Sequence, residues 1–270
     1  MCRLAALVGP PTPLSSLLLD PPHSLSHQAY EPRTMLSAKV NVDGTGAVWW
    51  PAPGGTPLRY VTERTPWADP NLGSLAPHLS GTTVLAAVRA ATPGIPHGPG
   101  NVGPFLHDGL GFAHNGWLGA YRAGVRRRLE ADLPDDLADA IEVVSDSVTT
   151  FRVVAAALRE TGDLAEAVTL GLTRVVAACA AAGAAATLNV VLTDGARLVA
   201  TRVSHEHAAN TLFTLHDGDR WPGASLLASE PLDDDPGWVE VPEGHLVVVD
   251  PGSPPTVHPL TLRHGSSTTS

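Results

Sequence analysis

Cysteine and lysine are almost absent from this 270-residue chain, and it has no apolar run long enough for a membrane span. The two cysteines, Cys2 and Cys179, cannot build a disulfide scaffold or a four-cysteine zinc site, and they point to a reducing, cytoplasmic setting. The single lysine is Lys39, and the only basic run is Arg126-Arg127-Arg128. With 17 basic against 27 acidic residues the formal net charge is -10, so no nucleic-acid partner is expected. The longest apolar stretch, Val175 to Leu188, is alanine-rich and shorter than the about 20 residues a bilayer crossing needs, so no membrane association is expected either. The short apolar run at the start is followed at once by Pro10, Pro11 and Pro13, which does not fit a signal peptide.

What is present is a chain with enough apolar residues (43%) and few enough charges (16%) to bury a sizeable core. One domain is expected over residues 2–257, with a polar tail over 258–270. Residues 3–8 read as a buried strand, Leu14 to Leu19 as a helical turn, 20–38 as loop, and Val40 to Trp50 as a turn running into a strand. Val84 to Ala91 and Leu110 to Trp117 read as further strands, flanking a Pro- and Gly-rich loop over 92–104. Helices are expected over 119–129, 137–144, 148–159 and 164–182, the third capped by Ser or Asp in Ser145-Asp146-Ser147 and ended by Gly162-Asp163. The last third is strand-rich, with an Asp194-Gly195 turn. Strands on either side of a central helical pair make the class α+β, not a regular βαβ alternation.

Four segments carry residues suited to chemistry. Loss of Met1 leaves Cys2 with both a thiol and a free α-amino group, whose pKa of about 7.7–8.0 lets nucleophile and base share one residue; an arbitrary second residue is the plainer alternative. In Phe112-Ala113-His114-Asn115-Gly116 the Asn115 amide and the Gly116 N–H are suited to an oxyanion, although an ordinary Asn-Gly turn reads as well. Arg89, in an apolar run with no acid beside it, is suited to grip a carboxylate with help from Thr92, or else to pair with a distant Asp. Asp146 at a helix start is a cap by default and a partner for an ammonium by chemistry. Arg89 and Asp146 together would describe a receptor for an α-amino acid head group. The 12 histidines include no helical pair with a carboxylate at zinc spacing, so no metal is expected. No glycine-rich phosphate loop follows a strand, and no cofactor is expected.

In this order, Cys2-Arg3, Asn41 to Gly46 with Trp50, Arg89-Ala90-Ala91-Thr92, Phe112 to Gly116, Ser145-Asp146-Ser147 and Ala228-Ser229-Glu230-Pro231-Leu232 resemble the glutaminase domain of class II glutamine amidotransferases, which are N-terminal-nucleophile hydrolases. The resemblance spans about residues 2–250. It implies a four-layer αββα sandwich, Cys2 as nucleophile and Asn115 with Gly116 as oxyanion hole. It further implies that Arg89, Thr92, His114, Asp146 and Ser147 bind a glutamyl group. Trp49, Trp50 and Arg64, with Tyr60 and Trp67, are candidates for the leaving-group pocket, plain core packing being the alternative for each. The chain looks most like the single-domain amidohydrolases of ergothioneine biosynthesis, which act on γ-glutamyl hercynylcysteine sulfoxide. A glutaminase subunit feeding a separate synthetase and a non-catalytic binding protein on this fold are the other readings, and an oligomer is compatible with all of them. Val42, Thr45, Ala47, Gly103 and Leu4 depart from the family pattern and bear on substrate identity.

Overall fold

The computed structural model describes residues 2–34, 40–92 and 94–262, and the statements below concern those residues. The first third runs β1 (Arg3–Pro13), α1 (Ser15–Leu18), α2 (Leu25–Tyr30), β2 (Thr45–Trp50), β3 (Leu58–Thr62), α3 (Leu72–Leu75) and β4 (Ser80–Val88). Then come β5 (Phe105–His107), β6 (Leu110–Leu118), α4 (Val125–Ala131), α5 (Asp135–Asp139), α6 (Asp146–Thr161) and α7 (Leu164–Ala180). The last third is β7 (Ala186–Thr193), β8 (Leu198–Arg202), β9 (Ser204–His205), β10 (Phe213–Gly218), β11 (Trp221–Ala228), β12 (Val239–Glu240), β13 (His245–Val249) and β14 (Thr256–Pro259).

The strands form two antiparallel sheets. One has the order β12-β10-β11-β1-β4-β2-β3, the other β14-β13-β8-β7-β6-β5, with β9 added beside β7. Three apolar layers fix how they stack. Leu4, Ala6, Val8, Leu85 and Ala87 of the first sheet meet Ala113, Val191, Ala200 and Val247 of the second, so the sheets face each other. The outer face of the first sheet packs on Leu17, Leu18, Leu25 and Ala29 of α1 and α2. The outer face of the second packs on Phe151, Val154, Val168, Leu172 and Val175 of α6 and α7. The result is the four-layer αββα sandwich. Strands covered on both faces read as continuous apolar runs, which is why Leu4-Ala5-Ala6-Leu7-Val8 shows no alternation.

Several boundaries differ from the sequence reading. Residues 20–38 are not all loop: Ser24 Oγ accepts the His27 N–H at 3.4 Å and caps α2, which buries Leu25, Gln28 and Ala29. The prolines after Val8 do not end β1, because its register against β4 shifts between Val8 and Thr12 and the ladder resumes at Thr12. Asn115-Gly116 is not a turn: both lie inside β6, opposite Asn189 and Leu188 of β7, and the left-handed backbone comes only later, at Ala120 with φ 49°. Strand β14 pairs with β13 and crosses the expected start of the tail at residue 258. Lys39 lies outside the described residues. Cys179 is buried in the α7 core, where burial pushes its thiol up to about 11.

Candidate active site

Cys2 precedes the first residue of a strand that is paired on both sides, with β4 and β11. Arg3 stands opposite Val88, so the ladder sets Cys2 beside the chain leaving β4, and its Sγ lies 4.0 Å from Ala90 O. A single cleft there is lined by Cys2, Arg89, Thr92, Asn101, Gly103, His114, Gly116 and the Ser145–Ser147 turn at the start of α6. The structure thus brings together seven of the residues expected from sequence: Cys2, Arg89, Thr92, His114, Gly116, Asp146 and Ser147.

Local chemistry places each of them. Asp43 Oδ2 accepts the Ala91 N–H at 2.7 Å, and Arg89 pairs its backbone with Gly44 O and Asp43 N, which holds the 89–92 segment across the cleft. Gly46 is required because a Cβ there would sit 2.4 Å from Gly103 O, where the cleft loop lies on β2. Arg59 steadies that loop by donating to Val102 O at 2.8 Å and Pro104 O at 2.9 Å. At Gly116 a Cβ would stand 1.9 Å from Thr187 O and 2.4 Å from His114 Nε2, so no other residue fits the strand there. Leu188, opposite Gly116, gives its N–H to Val203 O. The antiparallel alternation therefore turns the Gly116 N–H away from β7, past the end of the short β5 and into the cleft.

The cleft holds one buried charge of each sign. Arg89 is 6% exposed; its Nη2 donates to Pro96 O at 3.1 Å and its Nη1 has no hydrogen-bond partner. Asp146 is 4% exposed and accepts the Leu118 N–H at 3.1 Å and the Ser147 N–H at 2.9 Å. Neither makes an ion pair among the described residues, so the distant-Asp alternative for Arg89 finds no partner there. His114 is kept neutral: burial lowers its pKa more than the nearby Asp146 charge raises it. Its Nε2 faces Thr187 O at 2.9 Å and must carry the proton, so Nδ1 accepts from Ser147 Oγ at 3.0 Å.

Asn115 adjoins Gly116 on β6, directly behind the cleft wall. Its side chain is buried and donates from Nδ2 to Ser229 Oγ at 3.2 Å. Trp50 is opposite Thr83, level with Val8 and six residues along β1 from Cys2, roughly 20 Å away at 3.3 Å per residue. Trp49, one residue nearer, packs in the core between the first sheet and its helices. The alternative of plain core packing describes both. Arg64 is exposed at the cleft end of that sheet, its carbonyl held by Thr45 Oγ at 2.9 Å. The Tyr60 hydroxyl donates to Asp69, and burial with that bond pushes the phenol up to about 12. Trp67 is 52% exposed and stands edge-on to Tyr30.

Sequence reasoning assigned no role to a buried cluster behind Cys2. Arg3 Nη2 lies 3.0 Å from Glu230 Oε1, and His23 Nε2 lies 2.7 Å from Glu230 Oε2. The Arg33 and Thr34 N–H groups complete the shell of that carboxylate. A charged residue immediately before the apolar run that starts at Leu4, and an Ala-Ser-Glu run at the end of a strand, were the available signals. Among the described residues no group of three or more His, Cys, Asp or Glu side chains is arranged to hold a metal ion, and no helix is long and apolar enough to cross a membrane.

A cysteine at the head of a central strand shares its cleft with Gly116, Arg89 and Asp146 in an αββα sandwich, and this fold is that of class II glutamine amidotransferase structures. The solved structure of a glutamine aminotransferase class-II domain protein from Silicibacter pomeroyi shares the fold with a TM-score of 0.72, at 20% identity over 97% of this chain and 100% of that one. No family model matches the chain. A γ-glutamyl-hercynylcysteine sulfoxide hydrolase from Mycolicibacterium smegmatis is 37% identical over 249 residues, covering 92% of this chain and 96% of that protein. A hydrolase of the same name from Mycobacterium tuberculosis is 34% identical over 250 residues, 92% and 93% of the two chains. The chain belongs to the γ-glutamyl-hercynylcysteine sulfoxide hydrolase family.

Proposed function

We propose that this chain hydrolyses the γ-glutamyl amide bond of γ-glutamyl-hercynylcysteine sulfoxide, the compound in the names of its relatives, through a Cys2 thioester. The α-amino group freed by removal of Met1 takes the thiol proton through a water, and the thiolate attacks the γ-carbonyl carbon. The oxyanion forms against the Gly116 N–H and the second Nδ2–H of Asn115. As the C–N bond breaks, the α-ammonium returns its proton to the departing amine, leaving the γ-glutamyl thioester. Water, deprotonated by the same amino group, then releases glutamate and restores the thiol. Arg89 and Thr92 hold the α-carboxylate; Asp146, with Ser147 oriented by His114, holds the α-ammonium.

The observation that supports this reading best is the pair of buried charges in the cleft of Cys2, Arg89 and Asp146, neither of which is in an ion pair among the described residues. Burying a lone charge is costly, and a zwitterionic glutamyl end supplies both missing counter-charges at once. A nucleophilic thiol of this kind suits a reducing compartment such as the cytoplasm. The test is the mass of the intact protein followed by incubation with a panel of γ-glutamyl amides that includes free glutamine. Loss of Met1 and glutamate release from γ-glutamyl-hercynylcysteine sulfoxide are expected. A retained Met1, or no glutamate from any member of the panel, overturns the proposal; ammonia from glutamine as the main product replaces it with a glutaminase.

A further inference from the structure

The Ser229 hydroxyl joins two parts of the site. It accepts the Leu4 N–H at 3.0 Å and an Asn115 Nδ2–H at 3.2 Å. Ser229 N donates in turn to Leu4 O at 2.9 Å, so the chain leaving β11 is laced to the strand that starts beside Cys2. On the opposite side of the Asn115 carboxamide, Asn210 Nδ2 donates to Asn115 Oδ1 at 3.2 Å and to Asn115 O at 3.0 Å. Asn189, the β7 partner of Asn115, anchors this loop by donating to Asn210 O at 2.8 Å. Asn115, Asn210 and Ser229 are all buried, so water does not substitute for a lost partner.

A carboxamide has two orientations of nearly equal shape and opposite hydrogen-bonding sense. In the orientation present, the Asn115 oxygen meets a donor and its nitrogen meets an acceptor. In the flipped orientation two nitrogens, Nδ2 of Asn115 and Nδ2 of Asn210, face each other with no lone pair between them, a buried mismatch. The orientation present uses one Nδ2–H on Ser229 and leaves the other to donate.

We propose that Ser229 and Asn210 are positioning residues that lock the Asn115 carboxamide with an N–H, not its oxygen, directed at the reacting carbonyl, and that Ser229 ties this donor to the strand of the nucleophile. The inference rests on Asn115 being the oxyanion donor. Neither residue touches substrate; both act through Asn115.

The test is a set of double-mutant cycles read as glutamate release from γ-glutamyl-hercynylcysteine sulfoxide, with Ser229→Ala and Asn210→Ala each made alone and in an Asn115→Ala background. Asn115→Ala is expected to lower kcat by roughly 10²–10³-fold. Each single variant is expected to lower kcat by roughly ten- to hundredfold, with KM within about twofold, because the donor is misaligned but present. In the Asn115→Ala background neither should cause further loss, whereas a general structural role would multiply the losses. Ser229→Thr keeps the hydroxyl and should recover most of the rate; should Ser229→Ala fail to fold, the Asn210→Ala cycle decides alone. Unchanged kcat in the single variants, or losses that persist in full without the Asn115 amide, overturn the inference. Unchanged kcat in Asn115→Ala instead overturns the assignment on which it rests.

Discussion

Glu230→Gln probes the charge cluster behind Cys2. Burial alone pushes the Glu230 carboxyl up, but the His23 bond, the Arg3 charge and the Arg33 and Thr34 amides outweigh it and hold the group at about 2, against an ordinary 4.5. At about 1.4 kcal/mol per unit, that difference contributes roughly 3 kcal/mol of stability at neutral pH. The folded value lies below the unfolded one. The contribution is therefore complete above about pH 4.5, shrinks as the pH falls, and is gone below about pH 2. Glutamine removes the charge at every pH and turns an NH₂ toward donors. It also leaves Arg3, whose pKa burial already lowers, without a counter-charge. Removing one partner of a buried pair costs about 3–5 kcal/mol, so the two routes agree on about 3. In a chain of this size that lowers the melting midpoint by roughly 6–12 °C. Calorimetry at several pH values checks it: the gap between wild type and variant should be full at neutral pH and about half as large near pH 3. A variant that melts within about 2 °C of wild type at neutral pH, or a gap that does not change with pH, refutes the reasoning.

Arg89→Ala should weaken inhibition by L-glutamate about 10- to 150-fold, from the roughly 1.5–3 kcal/mol of a charge-assisted contact, and Arg89→Lys should recover only part of it; an unchanged inhibition constant contradicts the carboxylate role. Gly116→Ala drives a methyl into Thr187 O and His114. It should cost at least the ~1–3 kcal/mol of an overpacked core and most of the turnover, read by thermal unfolding and glutamate release. Trp50→Ala empties a site against Gly111 and Gly195 and should cost about 3–5 kcal/mol while leaving kcat/KM of the folded protein unchanged; a large rise in KM would return Trp50 to the substrate pocket.

Composition and periodicity made the class of fold readable, because the long elements carry their own signals. Ser145 and Asp163 cap α6 and α7 as their residue types suggest, and Gly162 at φ 72° ends α6. Short elements whose stability comes from packing left no such trace. Strand β3 buries none of its residues fully and is made a strand by pairing with β2. Asn115-Gly116 misleads for a related reason: the dipeptide is a turn signal when the glycine supplies a positive φ, but here it supplies only space. The site residues were legible as types suited to a task. Their convergence was not, since Cys2, Arg89, His114 and Asp146 meet only through the register of β1 on β4 and the packing of α6 on the second sheet. Trp49 and Trp50 pack in cores away from the cleft, and in sequence buried aromatics look alike whether they pack a core or line a pocket.

The placement of Cys2 has its own physical logic. Residues at the start of a domain ordinarily fray, which would smear the position of the Cys2 sulfur. Here the strand that follows is central, with Arg3 to Val8 paired to Val88 to Thr83 on one side and Ala5 to Val8 paired to Ala228 to Ser225 on the other. Opening that end of β1 would break two ladders and expose Leu4, Ala5, Ala6 and Leu7, all fully buried. The Arg3–Glu230 pair adds to this, because withdrawing Arg3 would strand a carboxylate that is held charged. The sulfur is therefore set by the most constrained part of the first sheet, while the residues that share its cleft come from the 89–92 segment and the start of α6, held by hydrogen bonds to Asp43, Leu118 and Tyr121. On the proposed mechanism, a nucleophile carried on a rigid strand and a head-group receptor carried on loop and helix ends can be tuned separately. On that mechanism, substitutions on the cleft wall, such as at Gly103, can change which amine departs without moving the Cys2 sulfur.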